Sequence, residues 1–551
     1  MTVAPTTRDL AADVLDRLAG LGPELVELAD AIWAHPETAL EEHASAAAQR
    51  AVLARHGFAI EAGVAGLETA FVARRSIGTG GPAIGLLGEL DALPGLSQDR
   101  VPYRAPLVEG GPGHGCGHNL LGAGSLGAAV LAADLAEARG IALDVAYFGC
   151  PAEEIGLGKV VMAREGCFDG LDAALCWHPG DFSMPWDGSA LALDAIAFRF
   201  AGRTAHAAED PHNGRSALDA VELMNVGVNY LREHIPPGAR IHYTIRHGGG
   251  APNVVPDRAI SDYLVRAASR EEVDRLRDRV FDCARGAALM TGTTVAWRLD
   301  GACASVLPND AISAVLLESL RAVGPPAFDE DDRAFARAIR DTLPPDQIDA
   351  ALRAAHAPPD LHDRPLHERI DAPFRPGRVL MASTDVGDVS WCVPTSQLWI
   401  AAMPIGTPGH SWQLTASVGS PIGHKGMLAL AAALATGTLV LACDGRRLGE
   451  ARAEFERRTA GRRYRTPLTR VPRPRPRAWW TTEATRAGRH CEPHSAARDL
   501  TGGGAGARAP RGAAARPPAA ASRGRRARTW PRRRAGPAAG AVRRSWPATR
   551  R

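Results

Sequence analysis

Lysine is almost missing from this chain. Of 551 residues only Lys159 and Lys425 are lysines, and arginine carries nearly all the positive charge, a usage that points to GC-rich coding. Uninterrupted apolar runs of about 18 residues are also missing, which argues against a membrane-spanning helix. The opening stretch MTVAPTTRDLAADVLDRLAG holds Arg8, Asp9, Asp13 and Asp16 and lacks the charged-then-apolar order of a secretion signal. Export by that route is not expected, and a cytoplasmic location is. There is no Walker loop, no nucleophile elbow and no zinc-finger spacing, which sets aside P-loop nucleotide hydrolysis, serine-hydrolase chemistry and finger-type recognition. One G-x-G-x-x-G occurs, GAGSLG at Gly122, Gly124 and Gly127. It lies inside a helix pattern after His118 instead of following a strand, and no acidic residue is placed for a ribose, so dinucleotide binding is not expected. The nine cysteines are odd in number and scattered. They read as reduced cytosolic thiols with one metal ligand among them.

Positive and negative charge are separated along the chain. Residues 461–551 hold 24 arginines and 3 acidic residues, whereas the remainder holds 40 basic and 58 acidic residues. The main body is therefore acidic, and a basic patch on it for nucleic acid is not implied. From about Gly461 the text becomes Arg, Pro, Ala and Gly without apolar periodicity, from which no core can be built. Disorder is expected over 461–551. The favoured reading is translation of a shifted frame. A dispensable natural tail and a basic nucleic-acid-binding arm are the alternatives, and nucleic acid is not expected as a partner. Resequencing the end of the gene decides this.

Ahead of that break the patterns are those of an α/β protein. Helices are expected at Thr7–Ala34 (broken near Gly22-Pro23), Ala44–His56, His118–Arg139 and from Gly158 to Glu165. Short apolar runs at Ala83–Leu90, Leu143–Gly149 and Ala173–Trp177 read as buried parallel strands. Over 192–304 the order changes to strand Ala192–Phe200, helix Ser216–Glu233, strands His242–His247 and Arg258–Val265, helix Glu271–Met290 and strand Thr294–Leu299. That βαββαβ order is the ferredoxin-like unit, here inserted into the larger domain. The α/β pattern then returns with a strand at Gln397–Met403 and a helix at Gly426–Leu439.

Four clusters, at strand ends or at the opening of a helix, carry candidate chemistry. HGCGH supplies His114, Cys116 and His118, and a thiolate and an imidazole two residues apart can reach one metal or two adjacent ones. The helix N-terminus that follows would favour the Cys116 thiolate. PAEE supplies Glu153 and Glu154 just after a strand, and of two such carboxylates one can ligate a metal while the other takes a proton from water. CWHP supplies His178 and GTPGHSWQ supplies His410, each directly after a strand. Any one of these is weak evidence. Their coincidence in one α/β domain, each after a strand or opening a helix, points to a metal centre. Asp91 in GELDALPG is a candidate to orient a ligand histidine. In the inserted unit, His206 and Asn253 are candidates to stabilise an oxyanion or hold substrate.

With these residues assembled, the chain resembles the aminoacylase/carboxypeptidase class of dinuclear metallopeptidases, in its amidohydrolase branch. The resemblance covers roughly 10–458 and rests on ten motifs in order, including WAHPETALEE, GELDALPGLSQ, GHGCGHNLLGAGSLGAA, PAEE, GRTAHAA, APNVVPDRA, STDVGDVSW, GTPGHSWQ and IGHKGM. Asn119, where many relatives outside the branch carry Asp, agrees with the branch. The resemblance implies a zinc-peptidase-like catalytic domain at 1–191 and 305–460, with 192–304 as an inserted lid and dimerisation domain. It implies two divalent metal ions held by Cys116, His118, Glu154, His178 and His410, with Cys116 shared. Manganese is favoured, and the mixed S/N/O set admits zinc. Glu153 becomes the general base and proton donor, Asp91 a support of the metal site, and His206 a residue that reaches into the neighbouring active site of a homodimer. The implied activity is hydrolysis of an N-acyl amino acid, p-aminobenzoyl-glutamate being the favoured substrate. Other N-acyl amino acids, auxin-type conjugates and dipeptides stay open, as does a non-catalytic metal-binding role within a hetero-oligomer.

Overall fold

The structure of the protein is a computed structural model that describes residues 5–468. The expected tail lies outside the described residues from position 469 on. The fold is mixed α/β. Its main sheet has seven strands in the order Ala59–Ala62, Phe71–Ile77, Leu143–Cys150, Ala83–Glu89, Ala173–Gly180, Thr395–Ala401 and Met184–Trp186. The four central strands from Leu143–Cys150 to Thr395–Ala401 run parallel, and antiparallel strands close both sides. Central parallel strands are covered on both faces, which is why Ala83–Glu89 reads as a continuous apolar run instead of alternating.

One face is covered by His118–Arg139, which packs with Thr7–Ala34, Asp310–Val323 and Pro421–Cys443 into the largest apolar cluster. Eighteen residues of His118–Arg139 are buried, so this helix has no polar stripe. It and Pro421–Cys443 are long and apolar enough to cross a membrane, but 94% and 78% of their most apolar windows are buried inside this fold. The GAGSLG glycines serve this packing. A Cβ at Gly122 would come within 2.4 Å of Gln49, and one at Gly127 within 2.4 Å of Leu25. Helix Thr7–Ala34 opens on a capping box between Thr6 and Asp9 and runs through Pro23 without interruption. The expected break at Gly22-Pro23 does not occur. Leu18, Leu21, Gly22 and Leu25 are all buried there, and the packed face overrides the lost backbone hydrogen bond.

The other face carries Gly158–Arg164 and Val386–Ser390 in a second apolar cluster that also takes in Leu468. Residues 461–468 thus depart from the expectation of disorder. Leu468 is buried, the Tyr464 hydroxyl donates to Asp388 at 2.7 Å, and the Arg462 guanidinium lies over the Trp391 ring.

Between the two stretches of the main body, strands Ala192–Ala201, Arg240–His247, Arg258–Ala267 and Thr294–Cys303 form a separate antiparallel sheet. Helices Ala217–Leu231 and Arg270–Thr291 cover it, each opened by a serine cap, Ser216 or Ser269. Ala302 N–H donates to Gly156 O at 3.0 Å, which ties this sheet to the turn that carries Glu153 and Glu154.

Candidate metal centre

Each of the four central parallel strands delivers residues to the same edge of the sheet. Glu89 and Asp91 come from the end of Ala83–Glu89. Glu153 and Glu154 follow Leu143–Cys150. His178 lies inside Ala173–Gly180, opposite Trp399 of the neighbouring strand, and not after the strand as the sequence suggested. That strand outlasts its apolar run because its neighbour in the sheet, Thr395–Ala401, continues alongside it. His410 follows Thr395–Ala401.

Three groups of ligand atoms lie within 4.8 Å of one another: Cys116, His118 and His178; Cys116, Glu154 and His410; and Glu89, His118 and Glu153. The first two share Cys116, and the first and third share His118. Cys116 Sγ lies 3.2 Å from His178 Nε2, and His410 Nε2 lies 3.4 Å from Glu154 Oε2. His118 Nδ1 is 2.8 Å from Asp91 O, and His178 Nδ1 is 2.7 Å from Pro179 O. A ring N–H donating to each carbonyl leaves both Nε2 atoms with lone pairs for a cation. His118 Nε2, Glu89 Oε2 and Glu154 Oε1 are buried and lack hydrogen-bond partners. Buried polar atoms of this kind are normally satisfied, so three orphans turned into one space fit a bound cation.

The turn bearing the two glutamates is held from behind. Asp91 accepts the backbone N–H of Glu153 at 3.1 Å and of Glu154 at 3.0 Å. Glu42, from WAHPETALEE, accepts Ala152 N–H at 2.9 Å while Ala152 adopts a left-handed φ of 57°. A non-glycine residue in that region is strained and persists only where its surroundings impose it. His410 shares the trait, with φ 54°, and its N–H donates to Gly115 O at 3.0 Å.

Electrostatics follow from burying many carboxylates together. Burial, then the charges of Glu89 and Asp385, drives Glu153 well above the ordinary carboxylate range. Burial raises Glu154 to about 7 against the opposing charge of His118. Burial also pushes the Cys116 thiol up, so the favourable helix N-terminus does not by itself create a thiolate. A cation would. Burial lowers His178 and His410. His114 stands apart from the three groups. Its Nε2 is 3.2 Å from Ile32 O, and burial followed by the charge of His118 lowers it to about 3.

The structure does not bring His206 and Asn253 into these groups. Both are exposed, and they neighbour each other: Ala207 N–H donates to Asn253 O at 3.0 Å, and His206 bridges Val254 across the same loop pair. Five residues that sequence reasoning passed over belong to the site's surroundings. Glu42 fixes the Ala152 turn. Glu89 and Asp385 share the buried Lys159, at 2.7 and 2.6 Å. Arg266, on strand Arg258–Ala267, is half-buried with an unpartnered Nε, and its charge is felt by His410 and by Glu153. The signals were present for three of them: GELD, STDVGD, and a lysine in a chain that has only two.

Residues 85–313 match the model of peptidase family M20/M25/M40. The chain is 42% identical over 461 residues to one of the subunits of the p-aminobenzoyl-glutamate hydrolase of Escherichia coli (strain K12), an alignment covering 82% of this chain and 95% of that protein. It is 32% identical over 339 residues to the Xaa-Arg dipeptidase of Mus musculus, covering 58% of this chain and 72% of that protein. Among solved structures, the aminobenzoyl-glutamate utilization protein from Klebsiella pneumoniae superposes with a TM-score of 0.51 over 76% of this chain and 98% of that one. At 18% identity, that likeness is one of fold.

Proposed function

The chain belongs to peptidase family M20/M25/M40, and we propose that it is a metal-dependent amidohydrolase that splits p-aminobenzoyl-glutamate into p-aminobenzoate and glutamate. The observation that carries this reading is the pair of ligand groups sharing Cys116 beside the Glu153–Glu154 turn. The substrate follows from 42% identity along 95% of a protein named for that hydrolysis.

Cys116, His118, Glu154, His178 and His410 would hold two divalent ions, manganese or zinc suiting the mixed donors. Bound there, the ions supply Lewis acidity, polarising the scissile carbonyl and bringing the pKa of an attacking water toward neutrality. Glu153 accepts the proton of that water as its oxygen bonds to the carbonyl carbon. The same carboxyl returns the proton to the glutamate nitrogen as the C–N bond breaks. Asp91 keeps His118 in the required tautomer and anchors the two glutamate N–H groups. Arg266 supplies a cation for a substrate carboxylate, to which its free N–H groups are suited.

The four-stranded unit at 192–304 serves in this reading as a ferredoxin-like lid and dimerisation domain. Leu223, Val226, Tyr230, Leu289 and Met290 on its two helices are exposed apolar residues, which suits association with a second copy. His206 and Asn253 would then stabilise the oxyanion in the active site of the other copy. The Escherichia coli relative is named as part of a hydrolase with more than one kind of chain, which makes a hetero-oligomer the competing assembly. A cytoplasmic location belongs to the same reading, and the eight free cysteines among the described residues suit a reducing compartment.

Product analysis with p-aminobenzoyl-glutamate and with Xaa-Arg dipeptides side by side tests the substrate assignment. Glutamate release with idle dipeptides is expected. Arginine release with p-aminobenzoyl-glutamate left intact would replace the assignment by a dipeptidase.

A further inference from the structure

We propose that Glu89 is a further metal ligand, its Oε2 sharing a cation with His118 Nε2, with Lys159 and Asp385 fixing its carboxylate from behind. The inference rests on the dinuclear reading above. Glu89 ends the central strand Ala83–Glu89 and is 2% exposed. Its two oxygens have different surroundings. Oε1 accepts from Lys159 Nζ at 2.7 Å, and the same ammonium donates to Asp385 Oδ1 at 2.6 Å. Asp385 is held in turn, since its Oδ2 accepts the Lys159 backbone N–H at 2.8 Å. Oε2 has no hydrogen-bond partner and lies 3.1 Å from His118 Nε2, which also has none.

His118 is already committed at its other nitrogen, where Nδ1 faces Asp91 O at 2.8 Å. In the tautomer that donates there, Nε2 carries a lone pair. Two buried acceptor atoms then face each other at 3.1 Å, a contact that needs a proton on His118 or a cation between them. Glu153, the proposed base, has an oxygen within 4.8 Å of both. Charge counting agrees. Glu89 and Asp385 are two carboxylates around one buried ammonium, which leaves one negative charge for a cation in front. The task of Lys159 and Asp385 is to hold Oε1 so that Oε2 faces the ion. They are positioning residues.

The test is a Co2+ titration of the metal-stripped full chain, followed by calorimetry and by the visible ligand-field bands of bound cobalt, for the wild type and for Glu89→Gln. Gln keeps the length of the side chain and a carbonyl oxygen for Lys159. The wild type is expected to take two Co2+ per chain. In Glu89→Gln one of the two should weaken by more than the roughly 10- to 100-fold that losing a supporting group costs, with altered band position and intensity. Two tightly bound ions with an unchanged spectrum in Glu89→Gln would overturn the role of Glu89 and leave the dinuclear reading standing. A wild type that binds no cobalt would instead sink that reading itself. Should Glu89→Gln fail to fold, a crystal structure of the cobalt-loaded wild type decides. Glu89 Oε2 at about 2.0–2.2 Å from an ion supports the proposal, and a separation beyond about 3 Å refutes it.

Discussion

Glu153 occupies a position where a small change should separate chemistry from binding. Its backbone N–H is held by Asp91, so the neutral isostere keeps the turn while removing the proposed proton acceptor. Glu153→Gln is expected to lower kcat by about 100-fold to 10,000-fold with two metals still bound, as metal analysis and steady-state kinetics together would show. Near-normal turnover would move the base elsewhere. Arg266 should behave in the opposite way. Its guanidinium has an unpartnered Nε and no carboxylate partner among the described residues. Arg266→Gln should raise KM by roughly 10- to 100-fold, the worth of a charged hydrogen bond, with a smaller effect on kcat. His114 gives a prediction for stability. It titrates near 6.5 when exposed, and burial lowers it to about 3 in the fold. Between those values the unfolded chain binds a proton that the folded chain refuses, so this residue makes stability fall as pH drops from about 6.5 toward about 3. Urea unfolding midpoints measured at pH 5 and pH 7 should lie closer together in His114→Asn than in the wild type.

At the scale of elements, what could be read from the sequence was periodicity, and what could not was tertiary compensation. His118–Arg139 was legible to the residue because an Ala/Leu segment with Gly140 at its end has no other use. The strands bearing Glu89, Glu153–Glu154 and His178 were legible as apolar runs bounded by polar residues. The parallel order of the four central strands and the convergence of their ends were not, because register is decided by segments distant in sequence. The Pro23 break was misjudged for the same reason: the buried face that holds the helix together belongs to other elements. Lys159 stood out only as one of two lysines, and its role appears once Glu89 and Asp385 are beside it. The inner face of His118–Arg139 supplies a further test. Gly127→Leu would place a side chain where even a Cβ meets Leu25 at 2.4 Å, and should cost about 1–3 kcal/mol or more in unfolding free energy.

For the whole molecule, packed structure continues past the composition break at about Gly461, at least as far as Leu468. Tyr464 and Leu468 are engaged with the second core cluster, next to the helix that begins after Asp385. A chain ending at Leu468 should keep the stability and turnover of the full-length chain. One ending at Gly461 should lose about 2–5 kcal/mol, the usual cost of deleting a large buried apolar side chain. Equal stability of the two truncations would show that the segment contributes nothing. The proposed chemistry depends on cations at the edge of the sheet. The most direct measurement is therefore glutamate release from p-aminobenzoyl-glutamate by the metal-stripped chain as Mn2+ or Zn2+ is restored, with bound metal counted at each step. The account predicts no turnover without metal and activity that rises as the count approaches two ions per chain. Full turnover by the stripped chain, or inactivity with both ions bound and Glu153 intact, would contradict it.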